Sequence, residues 1–101
     1  MKRTKSMIIN ETEESRELFL YATNTERIYK NAIVPTTNRL AKKYNTGKFD
    51  RERAVDAFYH VSNYASELYK AWYGYRFTVT ERFTAAANML DYFMEDITES
   101  A

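Results

Sequence analysis

Apolar residues recur at alternating spacings of four and three near the C-terminal end of the chain. The stripe consists of Val79, Phe83, Ala86, Leu90, Phe93 and Ile97. This spacing is typical of one face of an α-helix, so it predicts a helix over about 79–98 whose stripe is buried. Thr78 and Glu81 form a Thr-x-x-Glu capping box at its start. Asp91 and Glu95 fall on the opposite, polar side and are interpreted as a solvated face.

A broader apolar pattern marks the segment over about 51–73, which we also predict to be helical. One stripe is predicted to be buried and consists of Ala54, Phe58, Val61, Ala65, Leu68 and Trp72. A second stripe, rotated by one residue, consists of Tyr59, Ser62, Ser66, Tyr69 and Tyr73. Together with flanking residues, the apolar and aromatic arc covers roughly 240°, whereas an ordinary surface helix buries about 100°. The helix is therefore either the central helix of a bundle or one that exposes its second stripe for recognition.

Few residues interrupt these periodic segments, since the chain contains two glycines and one proline. A protein built from many short strands would need more turn residues. Gly47 and Gly74 each follow a long periodic run, as expected of a glycine just past a helix C-terminus. Asp50 is placed to cap the helix that begins at Arg51. The predicted fold class is all-α, a small helical bundle of about four helices.

Two of these helices are predicted upstream of Gly47. The first begins at Thr12 or Glu13, and the second runs over about 24–45. Pro35 lies inside the second helix, where it lacks an amide donor and clashes with the preceding turn. We therefore expect this helix to bend or split near residues 33 and 34.

The length of 101 residues is that of a single domain. We assign residues 1–10 to an irregular N-terminal arm and residues 11–101 to one helical domain. The chain contains no cysteine, which excludes disulfides and thiolate metal sites and fits a reducing cytoplasm. The apolar run near the N-terminus is too short for a signal peptide or a membrane span, so neither is predicted.

The formal net charge is only +1, too small to attract a nucleic acid or an anionic membrane through the field of the whole protein. Cations are nevertheless concentrated between the second and third helices, in a segment that we call the basic joint. Its candidate partner-binding residues are Lys42, Lys43, Lys48, Arg51 and Arg53. The first interpretation is a solvated connection whose lysines offset a negative helix end. The second is a patch that contacts the phosphates of a nucleic acid.

The sequence offers little catalytic chemistry. His60 is the single histidine, and it falls on the polar face of its helix, four residues after Asp56. Catalysis or stable metal binding needs more convergent ligands or a cleft. Gly-rich phosphate loops, nucleophile elbows and His-Glu-x-x-His patterns are also missing from the sequence. We therefore predict a protein that is not an enzyme and that binds no metal or cofactor.

The segment over 39–83 resembles a group of short proteins encoded by tailed bacteriophages. The shared pattern is a Lys-Tyr-x-x-Gly-x-Phe-Asp joint, an Ala-rich aromatic helix and a Phe-Thr-x-x-x-Arg motif that begins the last helix. The residues in this chain are Lys43, Tyr44, Gly47, Phe49, Asp50, Phe77, Thr78 and Arg82. The resemblance implies an infected bacterium as the setting, where small phage proteins without enzyme motifs often bind and disable a host factor.

The sequence supports two function hypotheses. The first is a phage-encoded, non-enzymatic inhibitor that acts in the host cytoplasm and binds a host protein such as a defence nuclease complex, as anti-CRISPR and anti-restriction proteins do. Its interface is predicted to use exposed tyrosines, because binding energy concentrates in a few aromatic and arginine anchors. The candidates are Tyr59, Tyr69, Tyr73 and the neighbouring Tyr75. The alternative is a small nucleic-acid-binding accessory protein that uses the basic joint.

Overall fold

A computed structural model describes residues 11–99 of the chain. Within this range 85% of the residues are helical and no strand is present. The helical segments are α1 (Glu13–Asn24), α2 (26–45), α3 (Arg51–Tyr73) and α4 (Val79–Glu99). The predicted all-α bundle of four helices is confirmed. The predicted N-terminal arm, residues 1–10, lies outside the described residues.

The predicted helix caps are present. The Asp50 carboxylate accepts a hydrogen bond from the Arg53 amide at 3.2 Å, which satisfies a free N–H at the start of α3. At the start of α4, the Glu81 amide donates to the Thr78 hydroxyl at 3.1 Å and the Thr78 amide donates to the Glu81 carboxylate at 2.9 Å. Gly74 ends α3 with a φ of 78°, a left-handed conformation that favours glycine. Each cap is formed within a few residues, so local sequence is enough to specify it.

Helix α2 changes its geometry before its proline. It consists of an α-helical turn, a π-helical turn and a longer α-helix, with bounds Glu26–Ile28, Tyr29–Ile33 and Val34–Asn45. In the π-helical turn the Val34 amide donates to the carbonyl of Tyr29, five residues back. The wider turn lies directly before Pro35, whose ring would clash with the carbonyl of a regular helix four residues earlier. The helix type therefore changes at residues 33 and 34, where a bend or split was predicted, and the helix continues through them without a break.

The core lies between α3 and α4, which run antiparallel and form a helical hairpin. Phe58 stacks on Phe93 with a centroid distance of 6.0 Å, and both rings are buried. The central residues of both predicted apolar stripes are buried as expected. They are Ala54, Phe58, Val61 and Ala65 on α3, and Ala86, Leu90, Phe93 and Ile97 on α4. Helices α1 and α2 add Leu18, Ile28 and Ile33 to the same core.

Each predicted stripe is exposed at the end that lies next to the connection between α3 and α4. Trp72 is 79% exposed, Val79 is 61% exposed and Phe83 is 48% exposed, so their assignment to the core was wrong. These residues belong to the last turn of α3 and the first turns of α4, beside the connection between the two helices. Periodicity identifies the apolar face of a helix, but it contains no information on how far along that face the neighbouring helices extend.

The exposure of Asp91 also differs from the prediction. It was assigned to a solvated face, yet only 2% of its side chain is exposed, and its Oδ1 accepts a hydrogen bond from Arg51 Nη2 at 2.9 Å. This ion pair joins the start of α3 to the second half of α4. A carboxylate can occupy such a position only when a cation or other donors replace its lost water.

Candidate functional site

Exposed aromatic and apolar side chains are concentrated at the connection between α3 and α4. Among residues 11–99, nine large hydrophobic side chains are exposed, and five of them lie within residues 72–83. We call these five the hairpin tip, and they are Trp72, Tyr73, Tyr75, Val79 and Phe83. Scattered exposed apolar residues are normal in soluble proteins, whereas a concentration of them marks a candidate interaction surface.

A groove of about 410 Å³ lies on one side of the hairpin tip. Its lining comes from the first turns of α1, the last turns of α3 and the connection after α3. The lining residues are Glu13, Glu14, Glu17, Tyr69, Tyr73, Tyr75 and Phe77. We call it the acidic tyrosine groove, because its lining contains three glutamates and three tyrosines but no lysine or arginine.

Ring contacts hold the aromatic wall of this groove in place. The Tyr69 ring lies 4.6 Å from that of Tyr73 and 4.9 Å from that of Phe77, measured between centroids. Phe77 is buried and also contacts Tyr75 edge-on at 4.8 Å. On the α1 side, Tyr21 contacts Tyr69 at 5.0 Å. The left-handed turn at the end of α3 returns the chain towards Tyr69, and the buried phenylalanine then fixes the position of its neighbours.

The electrostatic environment of the groove is negative. The Tyr69 hydroxyl donates to Glu17 Oε2 at 3.4 Å, and the Tyr75 hydroxyl donates to Glu81 Oε1 at 3.2 Å. Partial removal from water raises the pKa of Tyr69, and the nearby Glu17 carboxylate raises it further. The pKa of Tyr75 is raised by the same two causes, desolvation first and then Glu81. Both phenols therefore donate hydrogen bonds to neighbouring carboxylates, and the groove lining also contains Glu13 and Glu14.

The structure brings together three of the four tyrosines that the sequence singled out. Tyr69, Tyr73 and Tyr75 line the groove. Tyr59 lies elsewhere on α3, where its ring packs against Phe83 at 5.8 Å and its hydroxyl accepts a hydrogen bond from Arg82 at 3.5 Å. Between these positions the second stripe is core, because Ser62 and Ser66 are buried. The stripe is thus buried in its middle and exposed only at the C-terminal end of α3.

Sequence reasoning missed the acidic half of this groove. Glu13 was considered only as a possible start of the first helix, and Glu14 and Glu17 were not singled out. Their contact with α3 joins residues 52 positions apart, as the Tyr69–Glu17 hydrogen bond shows, and no local pattern encodes such a pairing. Trp72 was missed for a different reason, since its place in an apolar stripe predicted burial.

At the opposite end of α3, basic residues surround a second concave surface of about 370 Å³. It is lined by Arg39, Leu40, Lys43, Lys48, Asp50, Arg53 and Ala57, and we call it the basic pocket. Four cations therefore face a single carboxylate, which is also engaged in capping α3. This surface contains three of the five candidates from the basic joint.

The other two basic candidates are directed elsewhere. Lys42 is exposed, but it is not part of the pocket lining. Arg51 pairs with Asp91 and so has a structural partner within the chain. His60 is exposed, and residues 11–99 contain no group of three or more histidine or acidic side chains placed to hold a metal ion.

Comparison with family models, curated proteins and solved structures found no match to this chain. None of the helices in residues 11–99 combines the length and the apolar character needed to cross a membrane. The geometry of the described residues thus defines two candidate sites. One is the acidic tyrosine groove with the adjoining hairpin tip, and the other is the basic pocket at the other end of α3.

Proposed function

We propose that this chain is a non-enzymatic inhibitor that binds a host protein through the hairpin tip and the acidic tyrosine groove. The observation that supports this proposal is the concentration of exposed aromatic residues in the hairpin tip. Tryptophan and tyrosine are the residues most enriched among those that dominate binding energy at protein interfaces. Their rings supply a large contact area at low conformational cost.

The resemblance to short tailed-bacteriophage proteins supports the setting of this proposal. The resemblance implies the cytoplasm of an infected bacterium as the setting and favours a defence nuclease complex as the target. Binding would then block the nuclease, as anti-CRISPR and anti-restriction proteins do. The proposal needs no cofactor, because steric blocking requires only a stable complex.

The experiment combines partner capture with a phage plating assay. The immobilised chain is incubated with bacterial lysate, and the same chain is expressed in cells whose restriction or CRISPR system targets a test phage. We expect the wild type to capture a subunit of the defence complex and to raise plating efficiency. Replacing Trp72 and Tyr73 by serine should weaken capture by at least about 2 kcal/mol, or roughly thirtyfold, with the fold unchanged.

Tyr44→Ser is the matched control, because Tyr44 is an exposed tyrosine at the opposite end of α3. We expect this variant to capture the partner and to raise plating as the wild type does. A wild-type chain that leaves plating unchanged and captures no defence subunit would contradict the proposal. Equal losses in the control and in the Trp72/Tyr73 variant would remove the hairpin tip from it.

A second candidate function, binding of a nucleic acid, is favoured by the basic pocket. Arg39, Lys43, Lys48 and Arg53 line one concave surface, and clustered cations release counterions from a phosphate backbone when they bind it. The predicted signature is an affinity that falls steeply as salt concentration rises.

Two neighbouring lysines allow this second candidate to be tested sharply. Lys43 lines the pocket and Lys42 does not, although both are exposed. Labelled DNA and RNA are titrated at several salt concentrations against the wild type, Lys43→Glu and Lys42→Glu. If the pocket binds nucleic acid, Lys43→Glu should weaken binding at least about tenfold and reduce the salt slope, whereas Lys42→Glu should have a smaller effect. Equal effects of both variants would show non-specific attraction and would exclude the pocket as a defined site.

A further inference from the structure

The acidic tyrosine groove combines two features that favour the same kind of ligand group. Its tyrosine rings can attract a cation through their negatively charged faces. Its glutamates can pair with the same cation, and Glu13, Glu14 and Glu17 all line the groove. Since the lining contains no lysine or arginine, these groups have no cation among the lining residues to satisfy them.

We propose that the acidic tyrosine groove binds an arginine-containing segment of the partner protein. A guanidinium is planar and weakly hydrated, so it can stack on a tyrosine ring while it donates two parallel hydrogen bonds to a carboxylate. Lysine offers a compact, strongly hydrated charge and no planar face, and so fits this combination less well. The inference deepens the proposed function and rests on it, because it names the chemistry of the partner at the same surface.

The dimensions of the groove agree with this occupant. Its volume of about 410 Å³ is at the small end of the range of about 300–1,000 Å³ typical of ligand sites. One side of the groove is formed by glutamates of α1 and the other by tyrosines of α3 and the following connection. An arginine side chain that entered between them would therefore meet carboxylates on one side and aromatic rings on the other.

The test uses a defined probe rather than an unidentified partner. The probe is a fluorescein-labelled peptide that alternates arginine and glycine, and its control replaces each arginine by citrulline, which has a similar shape but no charge. Binding to the purified full-length chain is measured by fluorescence anisotropy at low salt, and amide chemical shifts locate it. We expect the arginine peptide to bind and to shift residues 13–17 and 69–77. The citrulline peptide should not bind, and a matched lysine peptide should bind more weakly.

Two triple variants distinguish an effect of the groove carboxylates on peptide binding from an effect of the protein's net charge. Replacing Glu13, Glu14 and Glu17 by glutamine should lower the affinity for the arginine peptide about tenfold, as expected from the loss of three solvent-accessible ion pairs. The control removes three exposed carboxylates near the end of α4, with the substitutions Glu95→Gln, Asp96→Asn and Glu99→Gln. Because the net charge changes equally, this control should alter affinity by less than about twofold.

A second pair of variants tests the aromatic half of the groove. Tyr73→Ser removes a ring, and we expect it to lower the affinity for the arginine peptide about threefold to fivefold. Tyr73→Phe keeps the ring, and we expect it to retain binding within about twofold. Equal losses in the two variants would show that the ring face does not bind the cation.

Three results would overturn this inference. The first is equal binding, or no binding, of the arginine and citrulline peptides. The second is an equal loss in the two triple-carboxylate variants. The third concerns the cations of the N-terminal arm, Lys2, Arg3 and Lys5. If the wild type binds no peptide but a full-length variant with these three residues changed to glutamine does, the groove is occupied by the chain's own arm.

These results remain distinguishable from failure of the proposed function. If the Glu13/Glu14/Glu17 variant still captures the host partner while the Trp72/Tyr73 variant does not, the proposed function stands and the arginine inference fails. If the wild type binds the arginine peptide but neither captures a defence subunit nor raises plating, the groove chemistry stands and the proposed target is wrong.

Discussion

The two ends of α3 differ in charge and in the aromatic surface that they expose. At the C-terminal end, glutamates from α1 face a wall of tyrosines, and Trp72 is exposed beside them. At the N-terminal end, cations surround the basic pocket and Asp50 is the single carboxylate in its lining. Although the net charge is only +1, acidic residues are concentrated at one end of α3 and basic residues at the other. The average composition of this chain is a poor guide to the partners of either end.

The distance between the two ends makes them independent in experiments. A helix of 23 residues spans about 35 Å at about 1.5 Å per residue, whereas charges in physiological salt are screened beyond about 8 Å. Substitutions at one end should therefore leave the electrostatics of the other unchanged, and their effects on stability should add. The predictions below test whether each end has the structural role inferred for it.

The largest expected change in the free energy of unfolding distinguishes Phe77 from Trp72, two aromatic residues near the C-terminal end of α3. Phe77 is 1% exposed and supports both Tyr69 and Tyr75. Phe77→Ala should therefore lower the free energy of unfolding by about 3–5 kcal/mol through loss of burial and formation of a cavity. Trp72→Ala should lower it by less than about 0.5 kcal/mol, because its ring is largely in water. Urea denaturation measures both values. An equal loss for Trp72→Ala would show that this ring is packed in solution and would remove it from the interaction surface.

The next largest expected change in the free energy of unfolding distinguishes Arg51 from Arg53, two arginines at the N-terminal end of α3. Arg51→Met should lower the free energy of unfolding by about 2 kcal/mol, because it leaves the buried Asp91 carboxylate without its cation. Arg53→Met should cost less than about 0.5 kcal/mol, since Arg53 and its partner Asp50 are largely exposed. Adding Asp91→Leu to Arg51→Met should recover most of the loss. Equal effects of the two single changes would place Asp91 in solvent and weaken the link between α3 and α4.

A smaller effect concerns the cap at the start of α3. Asp50→Ala removes the acceptor of the Arg53 amide and should lower the free energy of unfolding by about 1 kcal/mol. Asp50→Asn keeps an acceptor and should change stability by no more than about 0.3 kcal/mol, since asparagine caps helices as well as aspartate. Thermal denaturation followed by circular dichroism compares the two variants. If Asp50→Asn were as destabilising as Asp50→Ala, the role of Asp50 would be its charge in the basic pocket rather than its hydrogen bond.

The features that were predictable from the sequence are those set within one or two helical turns. The Thr78–Glu81 capping box, the stop at Gly74 and the change in helix geometry before Pro35 all depend on residues close in the chain, and the structure shows each of them. Phe58 was correctly assigned to the core because the middle of a long helix in a bundle is covered by its neighbours. Local propensity and periodicity therefore fix the elements and much of the core.

The features that were not predictable depend on how the helices are placed relative to one another. Asp91 lies opposite a cation 40 positions away, and Glu17 meets Tyr69 across a similar separation. Trp72 shares its helix face with core residues and is nevertheless exposed, because packing ends before the last turn of α3. The candidate site at the C-terminal end was therefore only half visible in the sequence, as tyrosines without their carboxylates.

The smallest expected effect is a pH dependence at the C-terminal end of α3. Burial and the Glu17 carboxylate raise the pKa of Tyr69 above its ordinary value of 10.0. The folded chain therefore keeps this proton at pH values where the unfolded chain has lost it. The resulting contribution to the free energy of unfolding is complete below pH 10.0 and is lost as pH rises through the raised pKa of the folded state.

Ultraviolet absorbance of the phenolate, followed during a pH titration of the folded chain, measures this ionisation, and urea denaturation at matched pH values measures the stability. The control is Tyr69→Phe, which removes the hydroxyl and keeps the ring contacts. It should remove one late-ionising phenol and flatten the fall in stability above pH 10.0. Glu17→Gln should bring the ionisation of Tyr69 to lower pH, because it removes the carboxylate that opposes the phenolate. A Tyr69 that ionises at the same pH with and without Glu17 would contradict their contact and, with it, the closure of the groove by α1.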